Sequence, residues 1–96
     1  MDLHYCEDEL LIGLTRALAV DYGPIVRVNA LLPGGVETRL WADVSPAARQ
    51  AAFDRTLLKR LASPEEIADG VLFLASERSA YMTGACLVMD GGWTIV

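Results

Sequence analysis

The chain has 96 residues, which is enough for one domain. Thirteen acidic against eight basic residues give a net charge of −5, and this balance excludes nucleic acid as the main partner because phosphate binding needs clustered Lys and Arg. No apolar run approaches the roughly 20 residues of a membrane-spanning helix, and the acidic start is unlike a secretory signal. We therefore expect a cytoplasmic protein that does not bind membranes.

The cysteines and the apolar content give two further expectations. Cys6, Cys86 and the single histidine make neither a disulfide framework nor a metal site. Hydrophobic residues make up 53% of the chain, whereas a domain of this size buries only about two-thirds of the surface that its unfolded chain exposes. The chain is therefore expected to associate with another protein or to form part of a larger one.

The first periodic segment predicts an amphipathic helix over residues 3–22. Its apolar side chains recur every three or four positions on one face, at Leu10, Leu11, Leu14, Leu18 and Tyr22. The following Gly23-Pro24 predicts the end of the helix, with Gly23 in the left-handed conformation and Pro24 unable to continue the helix.

Two short apolar runs predict buried strands. Residues 25–32 are β-branched at the start and end at Pro33-Gly34-Gly35, and residues 85–89 end at Asp90-Gly91-Gly92. Runs of this kind are typical of parallel strands that are covered on both faces. Because two parallel strands form no independent sheet, the pattern predicts a piece of an α/β sandwich.

Two helix starts lie between these strands. Ser45-Pro46 indicates a short helix through Ala52 and Phe53. Ser63-Pro64-Glu65-Glu66 has the residues of a capping box, with proline at the first helical position, and predicts a helix to about Ser76. The order helix, strand, helices, strand is that of a strand–helix–strand crossover.

Six segments together resemble the short-chain dehydrogenases/reductases. They are residues 13–19, residues 27–30 leading to Pro33-Gly34, residues 36–38, residues 60–68, residues 73–84 and residues 88–94. The resemblance implies that residues 10–96 correspond to the C-terminal portion of a Rossmann-like, doubly wound parallel sheet. Residues 1–9 diverge from the family, so residues 1–96 are expected to form a single partial domain.

The resemblance also implies a cofactor and a substrate loop. The family uses NAD or NADP, and its nicotinamide loop corresponds here to Pro33, Gly34, Val36 and Thr38. The alternative is an ordinary turn in which Gly34 and Gly35 permit positive φ. The variable substrate loop corresponds to residues 39–58, with Trp41 and Phe53; the alternative is a mobile amphipathic segment with exposed aromatic side chains.

The family's catalytic Tyr-x-x-x-Lys has no intact counterpart. Aligned without gaps, His4 and Asp8 occupy its positions, and a shift of one residue substitutes Tyr5 and Glu9. Tyr5 is thus the catalytic candidate, with an ordinary surface residue as the alternative. A carboxylate beside a tyrosine raises the tyrosine pKa, whereas a lysine lowers it. The family's glycine-rich phosphate turn and catalytic serine also lack counterparts in this sequence. A shifted reading frame or a misassigned start in a longer gene would explain why these motifs are missing.

Three functions are therefore compatible with the sequence. The first is an NAD(P)-dependent oxidoreductase, truncated and inactive alone, in which the cofactor is bound only weakly by this chain. The second is a non-catalytic module that forms homo-oligomers or binds a full-length relative through the helix at residues 10–22 and the last strand. The third is a truncated product without a function. Asn29, at a strand end, is expected to bond neighbouring backbone rather than to act in catalysis.

Overall fold

A computed structural model describes residues 3–95 of the chain, with side chains from residue 9 onward. The elements in chain order are helix α1 (Leu3–Tyr22), strand β1 (Ala30–Pro33), helices α2 (Pro46–Asp54) and α3 (Pro64–Ala75), and strand β2 (Cys86–Met89). Short 3₁₀ turns lie at Arg39–Trp41, Glu77–Ser79 and Trp93–Ile95. The predicted α/β class and the predicted order of elements are confirmed.

The two strands are parallel neighbours in one sheet. Ala30 lies opposite Cys86, and Pro33 lies opposite Met89. Since the strands run in the same direction, their carboxyl ends meet at one edge of the sheet. This edge is where a parallel α/β sheet generally binds ligands.

The predicted start of the first strand was wrong, because residues 25–29 lie outside the ladder. The side chain of Thr83 accepts a hydrogen bond from the Val28 amide at 3.1 Å, and the Val28 carbonyl accepts one from Gly84 at 2.7 Å. The Asn29 side-chain amide donates to the Met82 carbonyl and its oxygen accepts from the Ala85 amide. This segment is therefore held by loop contacts, and the backbone role expected of Asn29 is confirmed.

The end of α1 also differs from its prediction. Gly23 does not have a positive φ. The amides of Ile25 and Val26 both donate to the Tyr22 carbonyl at 3.0 Å, so that a turn follows the helix directly. Pro24, which has no N–H, ends the helix without a left-handed glycine.

The buried face of α1 is made of small residues rather than of its leucines. Thr15 and Ala19 are buried, whereas Leu10 is 75% exposed and Leu14 is 53% exposed. The Thr15 hydroxyl donates to the Leu11 carbonyl at 2.7 Å, which satisfies it within the helix. The small face lets the helix approach the sheet closely and leaves Leu10 and Leu14 on the surface, while Leu18 is half-buried.

Helix α3 packs against both strands at a glycine. A Cβ built on Gly70 would collide with the Met89 sulfur and would lie 3.0 Å from Leu31 Cδ1. The helix therefore reaches the sheet only because position 70 has no side chain. Val71 and Ala75 are exposed, although they recur with Ile67 and Leu74 at the three- and four-residue spacing of one helix face.

The predicted helix caps are confirmed. Ser45 caps α2 through its side chain, which accepts from the Ala48 amide. At α3, the Ser63 hydroxyl accepts from the Glu66 amide, and the Glu66 carboxylate accepts from the Ser63 amide at 2.9 Å. Arg60 donates to both carboxylate oxygens of Glu66, at 2.6 and 2.8 Å.

The hydrophobic core of the described residues is small. Its buried apolar members are Ala19, Ala30 and Leu61, and many larger apolar side chains are exposed. The predicted excess of apolar surface is thereby confirmed. None of the described helices has the length and apolar character required to cross a bilayer.

Alanine at position 70 should destabilise the protein. Overpacking against Leu31 and Met89 costs about 1–3 kcal/mol and outweighs the gain in helix propensity, about 1 kcal/mol. Gly13 in α1 is the matched control, because a Cβ added there would meet no atom within 4 Å. Urea unfolding followed by circular dichroism should therefore show Gly70→Ala less stable and Gly13→Ala more stable than the parent chain; the same sign for both would contradict the packing.

The capping box predicts a pH dependence of stability. Hydrogen bonds from Arg60 and from the Ser63 amide lower the pKa of Glu66 from 4.5 to about 2. A group whose pKa is lower in the folded state stabilises that state above its unfolded pKa. The contribution is therefore complete above pH 4.5 and is lost as the pH falls toward 2.

Thermal unfolding between these pH values measures this contribution. Glu66→Gln should flatten the fall of the unfolding temperature on acidification, whereas Glu65→Gln, at the neighbouring exposed position, should leave it unchanged. An equal effect of the two substitutions would show that the loss of one carboxylate, and not the capping box, sets the pH dependence.

Candidate cofactor and substrate site

The loop after β1 is fixed by close contacts with the end of β2. The Gly34 amide donates to the Met89 carbonyl at 3.0 Å. A Cβ on Gly34 would lie 2.9 Å from the Cα of Asp90. Neither Gly34 nor Gly35 has a positive φ. The glycine at position 34 is thus required by the approach of two backbones, and the positive φ expected of Gly34 and Gly35 in an ordinary turn is not observed.

A second parallel contact exposes the backbone of Val36. Val36 forms an isolated bridge with Ala62, in which the Glu37 amide donates to the Ala62 carbonyl and the Ala62 amide donates to the Gly35 carbonyl. In a parallel bridge the flanking residues make the bonds, so the N–H and C=O of Val36 face the other way. Among the described residues, neither group has a hydrogen-bond partner.

Thr38 continues this polar edge. Its backbone is extended, and its carbonyl accepts from the Trp41 amide at 3.0 Å. Its hydroxyl makes no capping bond, and Thr38 is exposed. One donor and one acceptor at Val36 and a hydroxyl at Thr38 are therefore left without hydrogen-bond partners among the described residues.

Arg49 on α2 holds the segment that follows. Its guanidinium donates to the Glu37 carboxylate at 2.7 Å and to the Trp41 carbonyl at 3.1 Å. The hydrogen bond to Glu37 raises the pKa of Arg49 further above its ordinary value. The predicted substrate segment is thus tied to the predicted nicotinamide loop by a side chain of its own helix.

A cavity of about 370 Å³ lies beside the loop. Its wall includes Gly35, Trp41, Leu58, Ile67, Met89 and Trp93. Of the sequence candidates, Trp41 lines this cavity, whereas Pro33, Gly34, Val36, Thr38 and Phe53 are not among its lining residues. Phe53 lies under the Arg49 guanidinium, at 5.8 Å from the ring centroid. The structure brings Trp41 to the cavity and places Phe53 outside it.

The turn after β2 forms the opposite wall. Gly91 and Gly92 have φ values of 64° and 92°, which strongly favour glycine. The Gly91 carbonyl accepts from the amides of Leu57 and Leu58 at 2.8 and 3.1 Å. This pairing draws residues 57 and 58, at the end of the predicted substrate segment, against the end of the sheet beside the cavity.

Asp90 organises that turn. Its carboxylate accepts from the Gly92 amide at 2.9 Å and from the Thr94 amide at 3.1 Å. Partial burial raises the pKa of Asp90, but hydrogen bonds from Thr94 and Gly92 outweigh this effect and leave the pKa below its ordinary value. Asp90 therefore acts as an ionised turn former.

Sequence reasoning missed the charged part of the cavity wall. Arg55 and Arg60 both line it, and the Arg55 guanidinium lies over the Trp93 ring at 5.0 Å from the centroid. Only Arg60 could have been identified from the sequence, because it lies six residues before Glu66, the capping glutamate with which it forms an ion pair. The partner of Arg55 follows a turn much farther along the chain, so no spacing rule could have identified it.

Tyr5, the catalytic candidate, lies outside the residues whose side chains are described, as do His4, Cys6 and Asp8. Cys86, within β2, is half-buried. From residue 9 to residue 95, no three His, Cys, Asp or Glu side chains gather closely enough to hold a metal ion.

Residues 9–94 match the family described as enoyl-(acyl carrier protein) reductase. The 3-oxoacyl-[acyl-carrier-protein] reductase FabG of Thermotoga maritima is 42% identical over 86 residues, which cover 88% of this chain and 35% of that protein. The uncharacterized oxidoreductase YmfI of Bacillus subtilis is 42% identical over 82 residues, which cover 84% of this chain and 34% of that protein.

Solved structures give the same result. Ligand-free aldohexose dehydrogenase of Thermoplasma acidophilum superposes with a TM-score of 0.80 at 32% identity, over 92% of this chain and 39% of that one. A 4-hydroxyisoleucine dehydrogenase complexed with NADH gives 0.83 at 29% identity, over 92% and 37%. The chain thus spans little more than a third of these relatives, and its architecture is part of a Rossmann fold. It belongs to the short-chain dehydrogenases/reductases.

Proposed function

We propose that this chain supplies the nicotinamide-binding loop and part of the substrate cavity of an NAD(P)-dependent oxidoreductase. The observation that carries the proposal is the polar edge at the end of β1, where the N–H and C=O of Val36 and the hydroxyl of Thr38 have no partner among the described residues. Pro33 and Gly34 place this edge at the carboxyl end of the sheet.

The polar edge fits the carboxamide of nicotinamide. A primary amide has a carbonyl acceptor and an NH₂ donor on adjacent atoms, and Val36 offers the matching donor and acceptor on one residue. The Thr38 hydroxyl can donate to the carboxamide or to a phosphate. Bound nicotinamide supplies hydride transfer, and the role of these residues is to orient its ring beside the cavity.

The bound NADH in the 4-hydroxyisoleucine dehydrogenase relative supports a nicotinamide cofactor for this fold. The described residues favour neither NAD nor NADP, because the proposed contacts reach the nicotinamide end that both share. The loop is rigidly held by Gly34 and Ala62, which reduces the entropy cost of binding.

We further propose that the chain alone binds nicotinamide weakly and does not turn over substrate. The proposal is supported by the carboxylate at the position where the family has lysine, Asp8 in one alignment and Glu9 in the other. A negative charge near Tyr5 would raise the tyrosine pKa and oppose proton transfer at neutral pH.

Amide chemical shifts recorded by NMR test the nicotinamide loop. Titration of the chain with NADH should shift the amides of residues 36–38, whereas ADP-ribose, which keeps the phosphates but lacks nicotinamide, should leave the amides of Val36 and Glu37 in place. Thr38→Val should weaken the NADH response, and Thr38→Ser, which keeps the hydroxyl, should retain it. The proposed nicotinamide loop would be overturned if NADH shifted only amides elsewhere in the chain, or shifted none at millimolar concentration. Steady oxidation of NADH in the presence of a carbonyl compound would overturn the proposal that the chain alone does not turn over substrate.

A second candidate function is self-association through α1. Leu10 and Leu14 lie one helical turn apart and are both largely exposed, and exposed apolar faces of this kind indicate an interface. Since an isologous contact needs one copy of each patch, we propose a second copy of this chain as the occupant, with an intact relative as the alternative.

Sedimentation of the purified chain should therefore show a dimer or larger oligomer. Replacing Leu10 and Leu14 together by aspartate should shift the population to monomer, because charges would be buried at the interface. Leu72→Asp on α3, where the leucine is 66% exposed, is the matched control and should leave the oligomer intact. A parent monomer that forms a complex only with an intact relative would support the alternative occupant.

A further inference from the structure

The cavity beside the nicotinamide loop is apolar along most of its wall. Trp41, Leu58, Leu61, Ile67, Met89 and Trp93 contribute side chains from four separate segments of the chain. A volume of about 370 Å³ falls within the range of small-molecule sites, roughly 300–1,000 Å³. The body of a ligand that fits here is therefore apolar.

Four charged residues interrupt this wall, and three of them already have charged or hydrogen-bonding partners within the described chain. Arg60 and Glu66 form a two-point ion pair with each other. The Asp90 carboxylate accepts from two amides of its own turn. Arg55 is the fourth, and the described residues provide no carboxylate partner for it.

Arg55 is held in an orientation that suits an anion. Its guanidinium lies over the face of Trp93, and stacking of this kind occupies the face of the planar group while leaving its N–H edge available. The N–H edge can form two parallel hydrogen bonds with a carboxylate. Trp93 in turn is positioned by the turn at Gly91 and Gly92.

We propose that the cavity binds an apolar monocarboxylate, with its chain or ring between Trp41 and Trp93 and its carboxylate on Arg55. The identification of this ligand as a substrate rests on the proposed function. For an oxidoreductase, the substrate would be a carbonyl or alcohol compound that also carries a carboxylate. Binding of the carboxylate itself requires no nicotinamide.

Tryptophan emission reports binding directly, since the chain's two tryptophans both line the cavity. The probes are octanoate and octanol, which share an apolar chain and differ in charge. Octanoate should quench or shift the emission saturably and bind at least about tenfold more tightly than octanol, as expected for a charge-assisted hydrogen bond.

Substitutions at position 55 assign the anion site. Arg55→Gln should remove the difference between octanoate and octanol, and Arg55→Lys, which keeps the charge but loses the planar fork, should retain part of it. Arg39→Gln is the control, because Arg39 carries the same charge in the neighbouring 3₁₀ turn and does not line the cavity. Far-ultraviolet circular dichroism of each variant verifies that it is folded.

Equal affinity for the two probes, or an unchanged preference in folded Arg55→Gln, would overturn the proposal. NADH-induced amide shifts at residues 36–38, recorded on Arg55→Gln, separate this failure from failure of the nicotinamide loop. If Arg55→Gln keeps the NADH-induced amide shifts but loses the preference for octanoate, both proposals are supported. If the parent chain prefers octanoate but shows no NADH-induced amide shift, the anion site is supported, but the conclusion that its ligand is a substrate of the oxidoreductase is overturned.

Discussion

The arrangement of the described chain depends on one guanidinium. Arg27 donates to the backbone carbonyls of Leu74, Ser76, Ser79 and Met82, at 2.7 to 3.3 Å. Leu74 lies in the last turn of α3, where carbonyls lack amide partners within the helix, and a cation is the donor best suited to the negative end of the helix dipole. The buried Ser79 hydroxyl donates to two of the same carbonyls. One side chain thus joins the entry to β1 to the whole connection between α3 and β2.

This junction sets the register of the sheet and, through it, the site. Asn29, two residues beyond Arg27, bonds the backbone of Met82 and Ala85, and the ladder then begins with Ala30 opposite Cys86. The same register brings the loop after β1 against the turn after β2, where Gly34 and Asp90 touch. The positions of the polar edge at Val36 and of the cavity wall at Trp93 therefore follow from the register of β1 and β2, which is set at the amino ends of the two strands.

Local signals predicted the parts of this structure that local physics decides. The caps at Ser45 and Ser63 are formed by residues three positions away in sequence, and both were predicted correctly. The start of β1 was not, because Val28 is held by Thr83, 55 residues away. The alternative prediction for Gly34 was a turn residue with positive φ, whereas a glycine is required there because its backbone approaches Asp90. The stacking of Arg55 on Trp93 likewise depends on tertiary proximity that spacing does not encode.

The surface proposed for association and the cavity proposed for ligand binding lie on different parts of the molecule. The proposed interface is the exposed stripe of α1, and no described α1 residue lines the cavity. The cavity is built instead from the carboxyl ends of the strands, the substrate segment and the first turns of α3. Its walls are fixed by hydrogen bonds at Gly91 and Ala62 and by the ion pair of Arg60 with Glu66, rather than by the small apolar core. An added subunit on α1 could therefore bury apolar surface and stabilise the fold without covering the cavity, because the contacts that shape the site are already made within this chain.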